Sequence, residues 1–189
     1  MINQIYNICL LGASGVGKTS LVNRLTKNIF INTSPTVGCI YYPYCVDNIR
    51  LDFWDTGGEE RYDSISKQYY RNADIILLLF DFTSISSINK MFYYINELNE
   101  NKHGNYWIII IGNKTDLIKI EYIISIDTLI RKRLDNTNIS NYIYLSVKTN
   151  DNINQLNEHI ISLCKFTNIS KNREVINLSE TNTKSNCKC

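Results

Sequence analysis

Proline is almost missing from this chain of 189 residues, with only Pro35 and Pro43, and glycine is scarce at eight. No apolar run approaches eighteen residues, which excludes a transmembrane helix. The longest, such as Ile75–Phe80, are of strand size. Charge of one sign is lacking too. Lys and Arg number 20 against 18 Asp and Glu, and a net charge of +2 is too weak a field to point to nucleic acid. No two of the six cysteines have C-x-x-C spacing, so a zinc framework is not expected. The two histidines, His103 and His159, are expected on solvated helix surfaces. The start, MINQIYNICL, has no basic stretch ahead of a long apolar one, so no secretory signal is expected.

What is present describes one globular domain. Hydrophobic residues at 44% and charged residues at 20% are ordinary for a soluble chain able to bury a core. Cys9, Cys39, Cys45 and Cys164 stand among apolar segments and are expected to pack as small hydrophobes in a reducing cytosol.

Short β-rich runs alternate with helical patterns. Strands are expected at Ile5–Leu11, Ile40–Val46, Arg50–Trp54, Ile75–Phe80, Trp107–Ile111 and Tyr142–Leu145, with a hairpin turn at Asp47-Asn48. Helices are expected at Lys18–Leu25, Ser87–Asn101, Ser125–Leu134 and Ile153–Phe166. Such alternation implies an α/β fold around a mainly parallel sheet. From Thr167 the chain turns polar, which suggests a domain over 1–167 and a flexible tail over 168–189.

Three of the eight glycines fall within six residues. Gly12-Ala13-Ser14-Gly15-Val16-Gly17-Lys18-Thr19 joins the first strand to the first helix and fits G-x-x-x-x-G-K-[ST]. Glycine lets successive N–H groups face phosphate oxygens, Lys18 adds a cation, and the Thr19 hydroxyl reaches Mg²⁺. Asn113-Lys114-Thr115-Asp116 follows a buried strand. Alone it is a common solvated turn. After a phosphate loop, the Asp116 carboxylate can accept from the N1–H and exocyclic amine of guanine, a pair adenine lacks. Asn113 would tie the base edge to neighbouring loops, and the Lys114 stem would lie across the ring. Ser146-Val147-Lys148 would set the Val147 N–H on guanine O6. Asp55 in Trp54-Asp55-Thr56-Gly57-Gly58-Glu59, and Thr36 after Ser34-Pro35, join Thr19 as oxygen ligands of the kind Mg²⁺ prefers. The N–H groups of Gly58 and Thr36 would meet the γ-phosphate.

These motifs, in order over Gly12–Lys148, resemble the Ras superfamily of small GTPases and specifically its Rab branch. The Rab likeness rests on Arg50–Thr56, Glu60–Ile65, Tyr69–Ala73, Phe80–Thr83 and the terminal Cys187-Lys188-Cys189. The resemblance implies a phosphate-loop NTPase domain: a six-stranded sheet, one edge strand antiparallel, with helices on both faces. It implies a switch alternating between GTP and GDP with Mg²⁺, in which GTP orders two loops, roughly Ile31–Gly38 and Gly57–Tyr70. Lys18 and Gly58 would assist catalysis, while Ser20 and Phe30 would join the nucleotide site. Tyr41, Trp54 and Tyr69 would face effectors, although core packing is an equally ordinary role for such aromatics. Partners would be effectors, an exchange factor, a GTPase-activating protein and prenylation chaperones, met by a monomer. Cys187 and Cys189 fit double geranylgeranylation, which would hold the protein on the cytoplasmic face of an intracellular membrane and regulate vesicle trafficking.

Two departures stand out. Glu59 occupies the place of the usual water-orienting Gln; a carboxylate accepts a proton well but donates none. Its charge also faces the γ-phosphate, at a cost of ~3 kcal/mol per unit pair at ~6 Å and an effective dielectric of ~20. A hydrolysis-poor module that stays loaded with GTP and sequesters effectors is therefore the alternative. The segment from Phe30 to Thr36 is also one residue shorter than the family pattern and lacks its usual second aromatic. A phosphate-loop kinase or ATPase would leave Asp116 without a role.

Overall fold

A computed structural model describes residues 4–59, 63–100, 106–135, 137, 139 and 141–166, with only the backbone of 63–65. The segments expected to carry Glu60–Tyr62, His103, the tail and its two cysteines lie outside these residues. By contact the chain forms two units, Met1–Asn154 and Gln155–Cys189.

The first unit is built on six strands in the order β2-β3-β1-β4-β5-β6. These are β1 (Gln4–Leu11), β2 (Cys39–Val46), β3 (Ile49–Thr56), β4 (Ile75–Asp81), β5 (Trp107–Asn113) and β6 (Tyr142–Tyr144). Only the β2–β3 pair is antiparallel. Its turn is Asp47-Asn48, both left-handed at φ 49° and 64°, as a tight hairpin requires. Pro43 sits on β2, the sheet's edge, where a residue without an N–H does least harm.

All seven residues of β4 are buried, which explains its unbroken apolar run. One face of the sheet presents Cys9, Leu11, Ile76, Leu78, Phe80 and Ile110 to a core completed by α3 (Ile85–Glu100) and α4 (Ile120–Leu134). Each fully buried Leu or Ile here contributes about 1.5–3 kcal/mol. α1 (Lys18–Lys27) packs on β3 and β2, burying Leu21, Val22 and Leu25. The second unit continues a helix, α5, over 153–166, in which buried Leu156, Ile160 and Leu163 keep helical spacing and His159 is half-exposed.

Three expectations need correction. A helix, α2 (Asp63–Tyr70), occupies part of the segment expected to be loop. Among its described side chains it buries Ser66 and Tyr70, one turn apart, and eight residues are too few for a helical period to register. α4 begins at Ile120, five residues before Ser125, because exposed Ile120, Tyr122 and Ile124 blur its apolar face. Cys45 is exposed and Cys39 only half-buried, since alternate residues of an edge strand point away from the core.

Candidate functional site

β1 and α1 meet at the glycine-rich loop. Gly12 has φ 143°, and a Cβ there would lie 2.3 Å from the Leu79 carbonyl oxygen. Gly17 has φ 100°, with space for a Cβ closed by Asn113 Nδ2 at 2.5 Å. Both positions therefore need glycine for conformation and for room. Gly17 begins α1 without a side-chain cap, and the first turn holds no acid, so the helix N-terminus keeps its positive end for an anion. Lys18 Nζ folds back to donate to the carbonyls of Gly12 (2.8 Å) and Ala13 (2.9 Å). Burial lowers its pKa to about 8, with Asp55 acting the other way.

Beside it three oxygen groups converge. Thr19 Oγ1 donates to Asp55 Oδ2 at 2.6 Å and lies 2.8 Å from Thr36 Oγ1, which donates to the same carboxylate oxygen at 3.3 Å. Asp55 is fully buried; burial raises its pKa, and Thr19, Lys18 and Thr36 oppose the rise. Its Oδ1 is buried with no hydrogen-bond partner among the described residues. An orphaned carboxylate oxygen beside two hydroxyls fits a hard cation that takes oxygen ligands and keeps waters, as Mg²⁺ does. Among the described residues no cluster of three His, Cys, Asp or Glu could hold a metal. The loops bearing Thr36 and Gly58 are joined by Gly57 N–H donating to Gly38 O at 2.7 Å. A Cβ on Gly58 would lie 2.4 Å from Ala13 C and Ser14 N, so this loop rests directly on the phosphate loop.

The other end of the cleft is organised by Asn113. Its Nδ2 donates to Val16 O (2.8 Å), and its Oδ1 accepts from Lys114 N (2.8 Å) and Val147 N (3.1 Å). The Val147 N–H, expected to meet a base, donates to Asn113 Oδ1, and Val147 borders the cleft described below. Asp116 is exposed and accepts from Ser146 Oγ at 2.6 Å. Lys114, left-handed at φ 66°, reaches Asp81 Oδ2 at 2.6 Å.

One cleft of about 500 Å³ runs between these ends. Its lining includes Ser14, Gly15, Gly17, Lys18, Thr19, Ser20, Phe30, Thr36, Gly58, Asn113, Lys114, Asp116, Val147 and Lys148. Gly12, Ala13, Val16, Asp55 and Ser146 support it from behind through the bonds above. Glu59, half-buried, follows Gly58 but does not line the cleft. Sequence reasoning missed Asn32, Thr33 and Leu117, which line it without a motif, and Asp81, which anchors Lys114. The Ser20 hydroxyl donates to Ile31 O at 3.1 Å.

Away from the cleft, Tyr41, Trp54 and Tyr69 form a continuous stack with ring centroids 4.9 and 4.8 Å apart. Tyr41 is exposed and the other two are half-buried, which makes the stack a surface feature. Asp52 holds Tyr41 in place by accepting from its hydroxyl at 2.8 Å.

The sequence profile of the Ras family matches residues 7–165. The chain is 35% identical to a "Probable Rab-related GTPase" of Acanthamoeba polyphaga mimivirus, over 95% of this chain and 87% of the relative. The chain belongs to the Rab family of small GTPases. This Rab-family chain is also 39% identical to "Ras-related protein Rab-17" of Homo sapiens, over 60% of its length and 56% of the relative's. With "GTP-binding protein ypt3" of Schizosaccharomyces pombe it shares 37% identity, over 62% of its length and 58% of the relative's. It therefore spans most of the viral relative and a little over half of the other two. Members of this family are GTP phosphohydrolases, and the six-stranded sheet of this one is the family's fold.

Proposed function

We propose that this Rab-family chain is a GTP/GDP switch that regulates vesicle trafficking by binding effectors in its GTP state. The observation that carries the reading is the convergence of these groups on one cleft. The cleft gathers a phosphate loop, a group of hydroxyls around an orphaned carboxylate, and the Asn113–Asp116 segment. In this reading the glycine-rich backbone and Lys18 bind the β- and γ-phosphates, Phe30 and Lys114 flank the purine, and Asp116 selects guanine. Thr19, Thr36 and Asp55 would hold Mg²⁺, whose charge supports the phosphate oxygens. The Thr36 and Gly58 N–H groups draw both loops onto the γ-phosphate, and hydrolysis releases them. The Tyr41–Trp54–Tyr69 stack offers effectors a partly exposed aromatic surface. Calorimetry with magnesium and matched guanosine and adenosine diphosphates tests the reading; equal affinities, or no uptake of either, would overturn it.

A second reading rests on Glu59. If its charge opposes hydrolysis more than its basicity helps, the protein stays loaded and sequesters effectors. Chromatography of nucleotide released from fresh protein separates the two: mostly GDP for turnover, mostly GTP for the loaded state. Single-turnover hydrolysis by Glu59→Gln, alone and with an activating protein, tests whether Glu59 sets the rate. Unchanged rates in both assays would remove its special role. Membrane attachment rests on geranylgeranylation of Cys187 and Cys189, which mass spectrometry of the C-terminal peptide from a eukaryotic host detects.

A further inference from the structure

Arg24 stands on α1, six residues beyond Lys18, and belongs to none of the motifs above. Its guanidinium donates to three backbone carbonyls: Nε to Val147 (3.1 Å), Nη2 to Lys148 (3.3 Å) and Nη1 to Asn28 (3.1 Å). The first two belong to the loop after β6, at the base end of the cleft. The third belongs to the residue that closes α1 in a left-handed turn, φ 55°, and leads toward Phe30. Arg24 does not line the cleft itself.

The loop at Ser146–Lys148 is clasped from two sides. Asn113 takes its N–H at Val147, and Arg24 takes the carbonyls of Val147 and Lys148. α1 thus carries the phosphate loop at its N-terminus and, further along, holds the loop that borders the base. A rigid helix fixes the spacing of the two ends. The planar guanidinium suits this task, because its fork of donors spans carbonyls on separate segments, whereas an ammonium presents all its donors from one atom.

The geometry points to Arg24 as the positioning residue of the base end, holding the Ser146–Lys148 loop against the purine and so setting how long a guanosine nucleotide stays bound. This rests on the nucleotide reading above. It is tested with magnesium-loaded full-length protein and a fluorescent guanosine diphosphate, chased by excess unlabelled diphosphate in stopped flow. Pyrophosphate, which engages the phosphate end alone, is measured separately by competition. Arg24→Ala speeds nucleotide release about tenfold, while the pyrophosphate inhibition constant stays within twofold of wild type. Arg24→Lys, which keeps the stem and the charge, gives about threefold and serves if the alanine variant does not fold. Release within twofold of wild type in both variants overturns the proposal. So does an equal loss of pyrophosphate binding, which would mark a general weakening of the fold. A wild-type protein that takes up no labelled nucleotide refutes the nucleotide reading instead, a result distinct from either.

Discussion

The two ends of the cleft are built differently. The phosphate end comes from one continuous stretch, Gly12–Thr19, reinforced by Asp55 from β3. Its tip at Ser14 and Gly15 is exposed, but its charged groups are interior, Lys18 and Asp55 being 6% and 0% exposed. The base end is assembled from Asn113–Asp116, Ser146–Lys148 and Phe30, and Asp116, Lys148 and Phe30 are exposed. Buried charge is costly to leave unpaired, so Lys18 is held by two carbonyls and Asp55 Oδ2 by two hydroxyls. The base end instead depends on loops being held in register by side chains behind them. In the proposed nucleotide reading, the first end would supply strength and the second selectivity.

The comparison breaks most sharply at Lys18. Lys18→Ala removes the buried cation and, in the proposed reading, the contacts it would make to phosphate, each charge-assisted bond being worth about 1.5–3 kcal/mol. Affinity for guanosine di- and triphosphates should fall about a thousandfold in fluorescence titration, with the guanosine-to-adenosine ratio among any residual binding unchanged. Asp116→Asn attacks the other end. It sets an amide donor against the donors of guanine, so guanosine binding should weaken about a hundredfold while xanthosine nucleotides gain. Pyrophosphate competition should not move. If Lys18→Ala altered base preference, or Asp116→Asn weakened pyrophosphate, the two ends would not be separable.

This division also explains what could be read from the chain alone. The glycine-rich loop was legible because its pattern is local: three glycines, Lys18 and Thr19 fall within the eight residues Gly12–Thr19. The sheet was legible wherever strands are buried on both faces, as at Ile75–Asp81 and Trp107–Asn113. The base end was legible by residue type but not by bonding. Nothing in Ser146-Val147-Lys148 reveals that Asn113 takes the Val147 N–H, because that contact joins residues 34 positions apart. The Asp81–Lys114 pair and the bonds of Arg24 to the Val147 and Lys148 carbonyls escaped notice for the same reason. α2 escaped because eight residues are too few for a helical period to register, and of its described side chains only Ser66 and Tyr70 are buried.

Gly58 sharpens the comparison at the phosphate end with a smaller effect. A methyl group there meets the Ala13–Ser14 backbone at 2.4 Å, so Gly58→Ala must lift its loop off the phosphate loop. Single-turnover GTP hydrolysis should slow about tenfold, and the guanosine-to-adenosine ratio should stay as it was. An unchanged rate would mean that the loop's seat on Ala13–Ser14 is not needed for chemistry.

The smallest effect is expected behind the base end, at Asp81. Its carboxylate holds Lys114 at 2.6 Å and accepts from the Thr83 N–H and hydroxyl at 2.8 and 2.7 Å. Asp81→Asn should loosen Lys114 and speed guanosine diphosphate release about threefold. A pH test distinguishes the ion pair from simple packing. Burial alone would raise the Asp81 pKa, but Lys114 and Thr83 outweigh it and hold the carboxyl below its usual value of 3.8. A carboxyl depressed by folding contributes stability that is fully present above its unfolded pKa and is lost as pH falls through the folded one. Denaturant melts of wild type and Asp81→Asn should therefore differ by a constant amount from pH 5 to 7 and converge below about pH 4, where wild type alone surrenders the contribution. Parallel curves down to the lowest pH would show that Asp81 serves packing and not the charge that steadies Lys114.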